Sequence, residues 1–253
     1  MRINGEVRPG FESVRDLFQR SLSPAKDKNV QLCVYVGEKR VVDLWASSGD
    51  DEFSADSLVN VFSSGKSIES ILLAALVDQG LLDFTQPVST YWPEFTGGGK
   101  DALTVADVMR HEAGLAQLDT SLLATQLETP ALKQNSVGSI LERHPLGFPE
   151  GSSPREYHAV TRGWIVNEIF RRIEPGRRTM GEYLREHISE PLGIDVYFDI
   201  NANEARRLSR VQPRRLMSQL LDSFSPGSQA RRIGLTPGEL FKRGRRVLAA
   251  VSG

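Results

Sequence analysis

Ser63 and Lys66 are the residues whose types and spacing first suggest chemistry. They form a Ser-x-x-Lys pattern at the start of an apolar segment, Ser63–Leu82, that predicts a helix. Residues three apart on a helix share a face, so the hydroxyl and the amine can meet at one point. The N-terminus of a helix adds partial positive charge and N–H donors, and an adjacent amine can accept the serine proton. The pattern therefore indicates a nucleophilic serine.

The pattern by itself also fits a structural role. Ser63 could be only a helix N-cap and Lys66 a solvated residue of the first turn. A second match, Ser23 with Lys26, shows that the spacing is not specific. Ser23 is followed by a proline, which disfavours helical geometry there, so position in the chain favours Ser63.

The segment that carries Ser63 is predicted to be a core helix. Its apolar residues between Ile68 and Val77 surround the helix axis almost completely, which is typical of a helix inside a core. Gly80 lies near its end. The following stretch, Phe84–Phe95, is punctuated by two prolines and is predicted to be a loop.

One hairpin and several further helices are expected around this element. The hairpin pairs Val30–Val36 with Arg40–Trp45. Apolar periodicity and capping residues, such as Thr104 with Asp107, predict the helices Phe11–Leu22, Leu103–Arg110, Ser136–Glu142, Thr161–Ile173 and Met180–Ser189. A lone hairpin is marginal in water, and only Arg246–Val251 offers another strand, so we expect an incomplete sheet.

Composition and charge are those of an ordinary globular chain. The 253 residues are 40% apolar and 25% charged with a net charge of −1, which argues against disordered and collagen-like classes. The single cysteine, Cys33, forbids an intramolecular disulfide and is expected to be a buried small hydrophobe. No apolar run reaches the roughly 18 residues of a membrane span, and no signal peptide is visible, so we predict a cytoplasmic protein.

The charge is unevenly distributed. Between Glu204 and Arg246 eleven basic residues face three acidic ones, a local charge of +8. Phe224 and Phe241 are the only aromatic residues among these cations, too few for the interleaved pattern of a nucleic-acid platform, so we predict a solvated basic tail and no nucleic-acid partner.

Several stretches, in order, resemble the serine beta-lactamase-related family, in its class C-like esterase branch, which includes penicillin-binding proteins. The resemblance covers about residues 5–198. The matching stretches are Pro9–Glu12, Val34–Val36, Asp43–Trp45, Val61–Lys66, Leu81–Asp83, Pro87–Phe95, Met109–Leu115, Tyr157–Trp164 and Glu190–Ile194.

The resemblance implies roles for individual residues. Ser63 corresponds to the nucleophile, Lys66 to its partner and Tyr157 to the acid/base that shuttles the proton. His158 and Trp92 are candidate substrate contacts, with a structural role for His158 and a core position for Trp92 as the alternatives. The resemblance implies no cofactor, and the histidine spacing predicts no metal site.

Two departures from the family pattern matter. Ala159 stands where the family often has an asparagine, which argues against specialisation for beta-lactams. The third family motif, K-T-G or H-x-G, lies on a strand that supplies an oxyanion N–H, and no K-T-G follows Tyr157. Lys242-Arg243-Gly244 is the nearest echo, and we interpret it as coincidental.

These observations define the expected protein. We predict an α/β, beta-lactamase/transpeptidase-like fold in residues 1–200, with the helical region retained and the antiparallel sheet incomplete, followed by the basic tail, residues 201–253. The predicted function is a serine hydrolase acting on small-molecule esters or amides, with activity impaired by the missing motif. The alternative is a non-catalytic truncated relative that acts by binding. Unpaired strand edges also predict self-association.

Overall fold

The computed structural model describes residues 1–23, 28–49, 52–148 and 155–211. Within them the chain forms two compact units, one of residues 1–60 with 200–211 and the other of residues 61–199. The strands are β1 (Arg2–Val7), β2 (Asn29–Val36) and β3 (Lys39–Ser47). The α-helices are α1 (Glu12–Ser21), α2 (Lys66–Asp78), α3 (Val88–Tyr91), α4 (Val105–Met109), α5 (Thr129–Lys133), α6 (Gly138–Arg143), α7 (Thr161–Ile173), α8 (Met180–Leu184), α9 (Glu190–Leu192) and α10 (Ala202–Arg207).

The first unit is built on a three-stranded antiparallel sheet in the order β1-β3-β2. The predicted hairpin is confirmed, with Asn29 opposite Ser47 and a register shift between Val34 and Tyr35. The first predicted helix is also confirmed, as α1, and its apolar side chains pack with those from one face of the sheet. The buried members of this cluster are Phe18, Val41, Val42, Leu44 and Ala46.

The third strand of the sheet, β1, was not expected. Its sequence, R-I-N-G-E-V, is too polar to stand out by alternation, yet it pairs with β3 from Arg2 opposite Ser47 to Val7 opposite Val42. Gly5 permits this pairing, because its φ is +98° and a Cβ there would lie 2.0 Å from the carbonyl oxygen of Asp43. The strand proposed at Arg246–Val251 falls outside the described residues.

Cys33 corrects another expectation. It is exposed rather than buried. Side chains alternate along a strand, and the neighbours Leu32 and Val34 are the ones that pack against the α1 cluster. The side chain of Cys33 therefore lies on the opposite face of the sheet.

The second unit is helical and has its own core. Its central elements, α2 and α7, bury Leu72, Leu73 and Leu76 on the first helix and Ile165, Val166, Ile169 and Phe170 on the second. Residues of the segments around α3, α4 and α6 complete this core. This layout brings the N-terminal ends of α2 and α7 into one region, as the contacts described below show.

Helix α2 differs from its prediction at both ends and on one face. A 3₁₀ turn, Phe62–Gly65, precedes it, so the α-helix begins at Lys66 rather than Ser63. It ends at Asp78 because Gly80, with φ +71°, closes it: the N–H groups of Gly80 and Leu81 bond back to carbonyls of the last turn. Ile71 and Val77 are 55% and 38% exposed, so the helix is not buried all round.

The remaining helices follow their sequence signals closely. Thr104 and Asp107 form the expected capping box of α4, and α7 has the predicted bounds. The helix predicted at residues 180–189 is α8 continued by a π turn and α9, and it ends at Gly193 with φ +62°. The loop predicted at residues 84–95 contains one short helix, α3, which was not foreseen.

The predicted basic tail lies mostly outside the described residues. Its beginning forms α10, capped by Asn201, whose side-chain oxygen accepts the N–H of Glu204 at 3.1 Å. Just beyond this helix, Leu208 pairs with Leu58 in an isolated parallel bridge within the first unit.

Candidate active site

Ser63 lies on the exposed surface of the 3₁₀ turn that leads into α2. Lys66 follows Ser63 by three residues and is the first residue of α2. The backbone N–H of Lys66 donates to the carbonyls of Ser63 and Ser64. Phe62, directly before the serine, has φ +47°. A non-glycine residue in this left-handed region is strained, and such strain is typical of functional sites.

Lys66 connects this turn to the segment that precedes α7. Its Nζ atom donates a 2.8 Å hydrogen bond to the carbonyl oxygen of Ala159. The same ammonium lies 5.5 Å from the centroid of the Tyr157 ring. The structure therefore brings together Lys66 and Tyr157, two of the residues that the sequence proposes as catalytic. Lys66 is three residues after Ser63, the third of them.

Tyr157 is accessible to a substrate. The side chain is 53% exposed and its ring packs against His111, with 4.7 Å between the ring centroids. Phe62 and Val160 are also exposed, at 68% and 55%. An open, partly apolar surface thus surrounds the serine, the lysine and the tyrosine within this unit.

His158 is inside the protein. The ring is completely buried, its Nε2 accepts the N–H of Leu115 at 3.0 Å, and its Nδ1 lies 2.6 Å from the carbonyl oxygen of Glu156. The first contact makes Nε2 the acceptor, so Nδ1 carries the proton and donates it to Glu156. Burial is the main cause that lowers the pKa of His158. With both nitrogens bound to the main chain, this histidine supports the loop instead of facing a substrate.

Trp92 also lies in the core and not on a cleft wall. It is completely buried and contacts Phe95, with 4.7 Å between ring centroids. Its indole N–H donates to Glu142 at 2.8 Å, and the guanidinium of Arg172 lies 4.2 Å from the ring centroid. Trp92 is therefore a core aromatic and not a substrate contact, and it is not part of the proposed site.

His111 belongs to the site but was given no role by the sequence. It has φ +64°, its Nδ1 faces the backbone N–H of His158 at 3.1 Å, and its Nε2 lies 3.3 Å from a nitrogen of Arg162. A neutral imidazole can accept one of these two N–H groups through its single ring lone pair, and a second proton would remove that acceptor. Burial first, and then the positive charge of Arg162, lower the pKa of His111 to about 4. A neutral imidazole therefore supports Tyr157 at neutral pH.

A buried ion pair between Arg162 and Glu69 was likewise missed. The Nε and Nη2 atoms of Arg162 donate to one carboxylate oxygen of Glu69 at 3.1 and 3.0 Å. The two side chains are only 8% and 12% exposed. Neither residue stands out in the sequence, because each is a charged position within a predicted apolar helix, 93 residues apart.

A second set of charges holds the tyrosine segment to the neighbouring loop. Glu112 accepts hydrogen bonds from Arg155 at 3.0 and 2.6 Å and from Arg110 at 2.8 Å. The backbone N–H of Glu156 donates to the carbonyl of His111 at 3.0 Å. The segment that carries Tyr157 is therefore fixed on both sides of residue 156.

The described residues contain neither a cluster suited to a metal ion nor a helix suited to a membrane. In the described ranges, no three or more His, Cys, Asp or Glu residues come together in a way that could hold a metal ion. No helix in the part of the chain that the structure describes is long and apolar enough to cross a membrane.

Comparison with known proteins decides the family. A family model described as beta-lactamase matches residues 16–224. The chain belongs to the beta-lactamase family. The fold predicted from the sequence, helices with a small antiparallel sheet of the beta-lactamase/transpeptidase type, is thereby confirmed.

Three proteins illustrate the similarity of this chain to known members of the beta-lactamase family. The chain is 33% identical over 198 residues to the esterase/beta-lactamase LipL of Mycobacterium tuberculosis, a match that covers 77% of this chain and 44% of LipL. It superposes with a TM-score of 0.73 on a penicillin-binding protein homologue from Caulobacter crescentus, at 33% identity over 84% of this chain and 57% of that one. A family VIII carboxylesterase gives a TM-score of 0.73 at 29% identity, covering 84% of this chain and 58% of the other.

The matches leave much of each relative uncovered. This beta-lactamase family chain spans 44% of the curated relative and 57% and 58% of the two solved chains. Two of the three relatives, LipL and the carboxylesterase, are hydrolases by name, and the family supports hydrolysis in general.

Proposed function

We propose that the protein hydrolyses small ester or amide substrates through an acyl-enzyme on Ser63. The observation that carries the proposal is the position of Lys66, whose amine reaches from the serine turn to the segment of Tyr157. The names of two relatives, an esterase/beta-lactamase and a carboxylesterase, point to the same substrate class.

The proposed mechanism begins with attack of the Ser63 hydroxyl oxygen on the substrate carbonyl. Lys66 and Tyr157 take up the hydroxyl proton, and Tyr157 then donates a proton to the leaving group. A water molecule, activated by the same pair, hydrolyses the ester formed on Ser63. The backbone N–H of Ser63 lies in the turn before α2 and is proposed to stabilise the oxyanion of the tetrahedral intermediate.

The support for Tyr157 is geometric. Its ring is exposed and held against a neutral His111, so the phenol can reach a substrate while its orientation is restricted. The Nζ atom of Lys66 lies 5.5 Å from the centroid of this ring, which supports proton exchange between the amine and the phenol.

We further propose that the 253-residue chain by itself turns over slowly. Its sequence has no K-T-G after Tyr157, and Lys242-Arg243-Gly244 lies outside the described residues. Loss of one oxyanion donor costs about 10²–10³ in rate in a well-studied hydrolase. Activated esters should then react slowly, and amides and beta-lactams hardly at all.

The lack of a K-T-G within these 253 residues also supports a second candidate, a relative that binds acyl compounds without turning them over. In that case the serine turn and the tyrosine would form a recognition surface, and penicillin or an ester analogue would bind reversibly. Intact mass measured after incubation with a fluorophosphonate separates the two, because only the hydrolase forms a covalent adduct.

Hydrolysis of p-nitrophenyl acetate and nitrocefin tests the proposed enzyme. We expect weak ester hydrolysis that is lost in Ser63→Ala and kept in the matched control Ser64→Ala, together with negligible nitrocefin hydrolysis. Ester hydrolysis that is equal in Ser63→Ala and the wild type would refute the role of Ser63. Efficient nitrocefin hydrolysis that depends on Ser63 would refute the proposed slow turnover.

A further inference from the structure

The N–H groups of the Arg162 guanidinium all face polar partners within the site. An arginine has five N–H groups. Two of those of Arg162 reach the Glu69 carboxylate, one reaches the carbonyl of Lys66 at 3.1 Å, and the remaining two face the carbonyl of Met109 at 3.4 Å and Nε2 of His111 at 3.3 Å. One side chain on α7 thus ties together α2, the end of α4 and the histidine loop.

Two of these contacts concern the proposed catalytic residues directly. The bond to the Lys66 carbonyl fixes the main chain of the lysine at the point where the serine turn becomes α2. The contact to His111 holds the ring against which Tyr157 packs. Arg162 therefore contacts the supports of both the amine and the phenol, without contacting a substrate.

The charge of Arg162 requires a partner at this depth. An unpaired buried cation is strongly destabilising, and it would also repel the nearby Lys66 ammonium. Glu69, one turn after Lys66 on α2, supplies the compensating carboxylate from the same helix. The pair is thus neutral as a unit, while its arginine still presents N–H donors to the site.

We infer that Arg162, neutralised by Glu69, is a positioning residue that holds Lys66 and the His111–Tyr157 pair in their working arrangement. The inference rests on the proposed function for its effect on turnover. The effect that we expect Arg162 to have on the titration of His111 does not depend on that function.

The two members of the ion pair carry opposite charges. Removing one or the other should therefore shift the pH dependence of the rate in opposite directions. Loss of the Glu69 carboxylate leaves extra positive charge beside the site, which favours the deprotonated form of a base there and moves the pH–rate curve to lower pH. Loss of the Arg162 charge does the reverse. The charged and titratable groups that face the site are Lys66 and Glu69 from α2, His111 from the loop after α4, Arg155, Tyr157 and His158 from the segment before α7, and Arg162 from α7.

The first experiment measures kcat/KM for p-nitrophenyl acetate against pH. We expect Glu69→Gln to move the curve down, and Arg162→Gln to move it up, by about one pH unit each. The double variant should return to within about 0.3 unit of the wild type. Arg162→Lys keeps the charge but not the planar fork of donors, so it should lower kcat about tenfold with KM and the pH curve unchanged.

Curves that stay in place in both single variants, with rates reduced equally, would overturn the inference. The double variant guards against misfolding, because replacing both members of a buried ion pair is far less destabilising than removing one. Thermal unfolding of each variant shows which of them are folded well enough to compare.

A second experiment needs no enzymatic activity. In NMR titrations, assigned with His111→Gln, the ring of His111 should titrate about one pH unit higher in the Glu69→Gln/Arg162→Gln double variant than in the wild type. If the wild type hydrolyses no ester, the proposed function fails, and this titration still decides the inference. An unchanged His111 midpoint in the folded double variant would overturn it.

Discussion

The Nζ atom of Lys66 donates a 2.8 Å hydrogen bond to the carbonyl oxygen of Ala159, 93 residues further along the chain. This bond joins the first residue of α2 to the segment that leads into α7. It places the amine beside the ring of Tyr157 and next to the turn of Ser63. The proposed chemistry depends on this junction between two helix N-termini.

Replacing Tyr157 with phenylalanine tests the role of the phenol. The change removes one hydroxyl from a side chain that is 53% exposed, so the free energy of unfolding should change by less than about 0.5 kcal/mol. Loss of a proton-transfer group should lower kcat/KM for p-nitrophenyl acetate by about 10²-fold or more. Tyr35→Phe, at a tyrosine that is 60% exposed on β2, is the matched control and should retain wild-type activity. Equal activity in both variants would exclude Tyr157 as the acid/base.

His111 predicts how stability depends on pH. Its pKa is about 4 in the folded protein against an ordinary value of 6.5, so the unfolded chain binds more protons between these values. The free energy of unfolding is therefore highest above pH 6.5, and it falls by up to about 3 kcal/mol as the pH drops towards 4. Urea unfolding of the wild type and His111→Gln between pH 4 and 7 measures it, and the variant should show a shallower slope. An identical slope in the two proteins would contradict the neutral His111.

Sequence reasoning succeeds where local signals determine local structure. The capping pair Thr104 and Asp107 predicts α4, and the apolar periodicity of residues 161–173 predicts α7, because these patterns act within a few residues. The motif residues Lys66 and Tyr157, identified by family resemblance, are indeed brought together by the fold.

The features that were missed depend on distant partners. Strand β1 is polar and contains Gly5, so only its pairing with β3 makes it a strand. The Glu69–Arg162 pair joins positions 93 residues apart, and each residue alone looks like an ordinary charged position of a helix. Nothing in the local sequence reports that partnership.

Gly5→Ala tests the unexpected strand β1. The added Cβ would lie 2.0 Å from the Asp43 carbonyl oxygen at φ +98°, so we expect a loss of about 3 kcal/mol or more in the free energy of unfolding. Gly37→Ala is the control, because Gly37 also has positive φ, +59°, but no atom within 4 Å of a Cβ, and it should cost about 1–2 kcal/mol. Denaturant unfolding compares the two, and an equal loss would mean that β1 does not pair as described.

The outer edge of β2 predicts self-association. This strand of eight residues carries no charged side chain, and no other strand of the described residues pairs with its outer edge. Uncharged open edges favour pairing with a second chain. Sedimentation velocity should show oligomers at micromolar concentration that are reduced by Tyr35→Lys. A compact monomer at every concentration would contradict this prediction.

Covalent labelling of the serine tests the central claim most directly. The protein is incubated with a fluorophosphonate probe, and the adduct is read by intact mass and peptide mapping. The account predicts one adduct per chain, on Ser63, that is absent in Ser63→Ala and retained in Ser64→Ala. An adduct mapped to Ser64, or labelling that persists in Ser63→Ala, would contradict it.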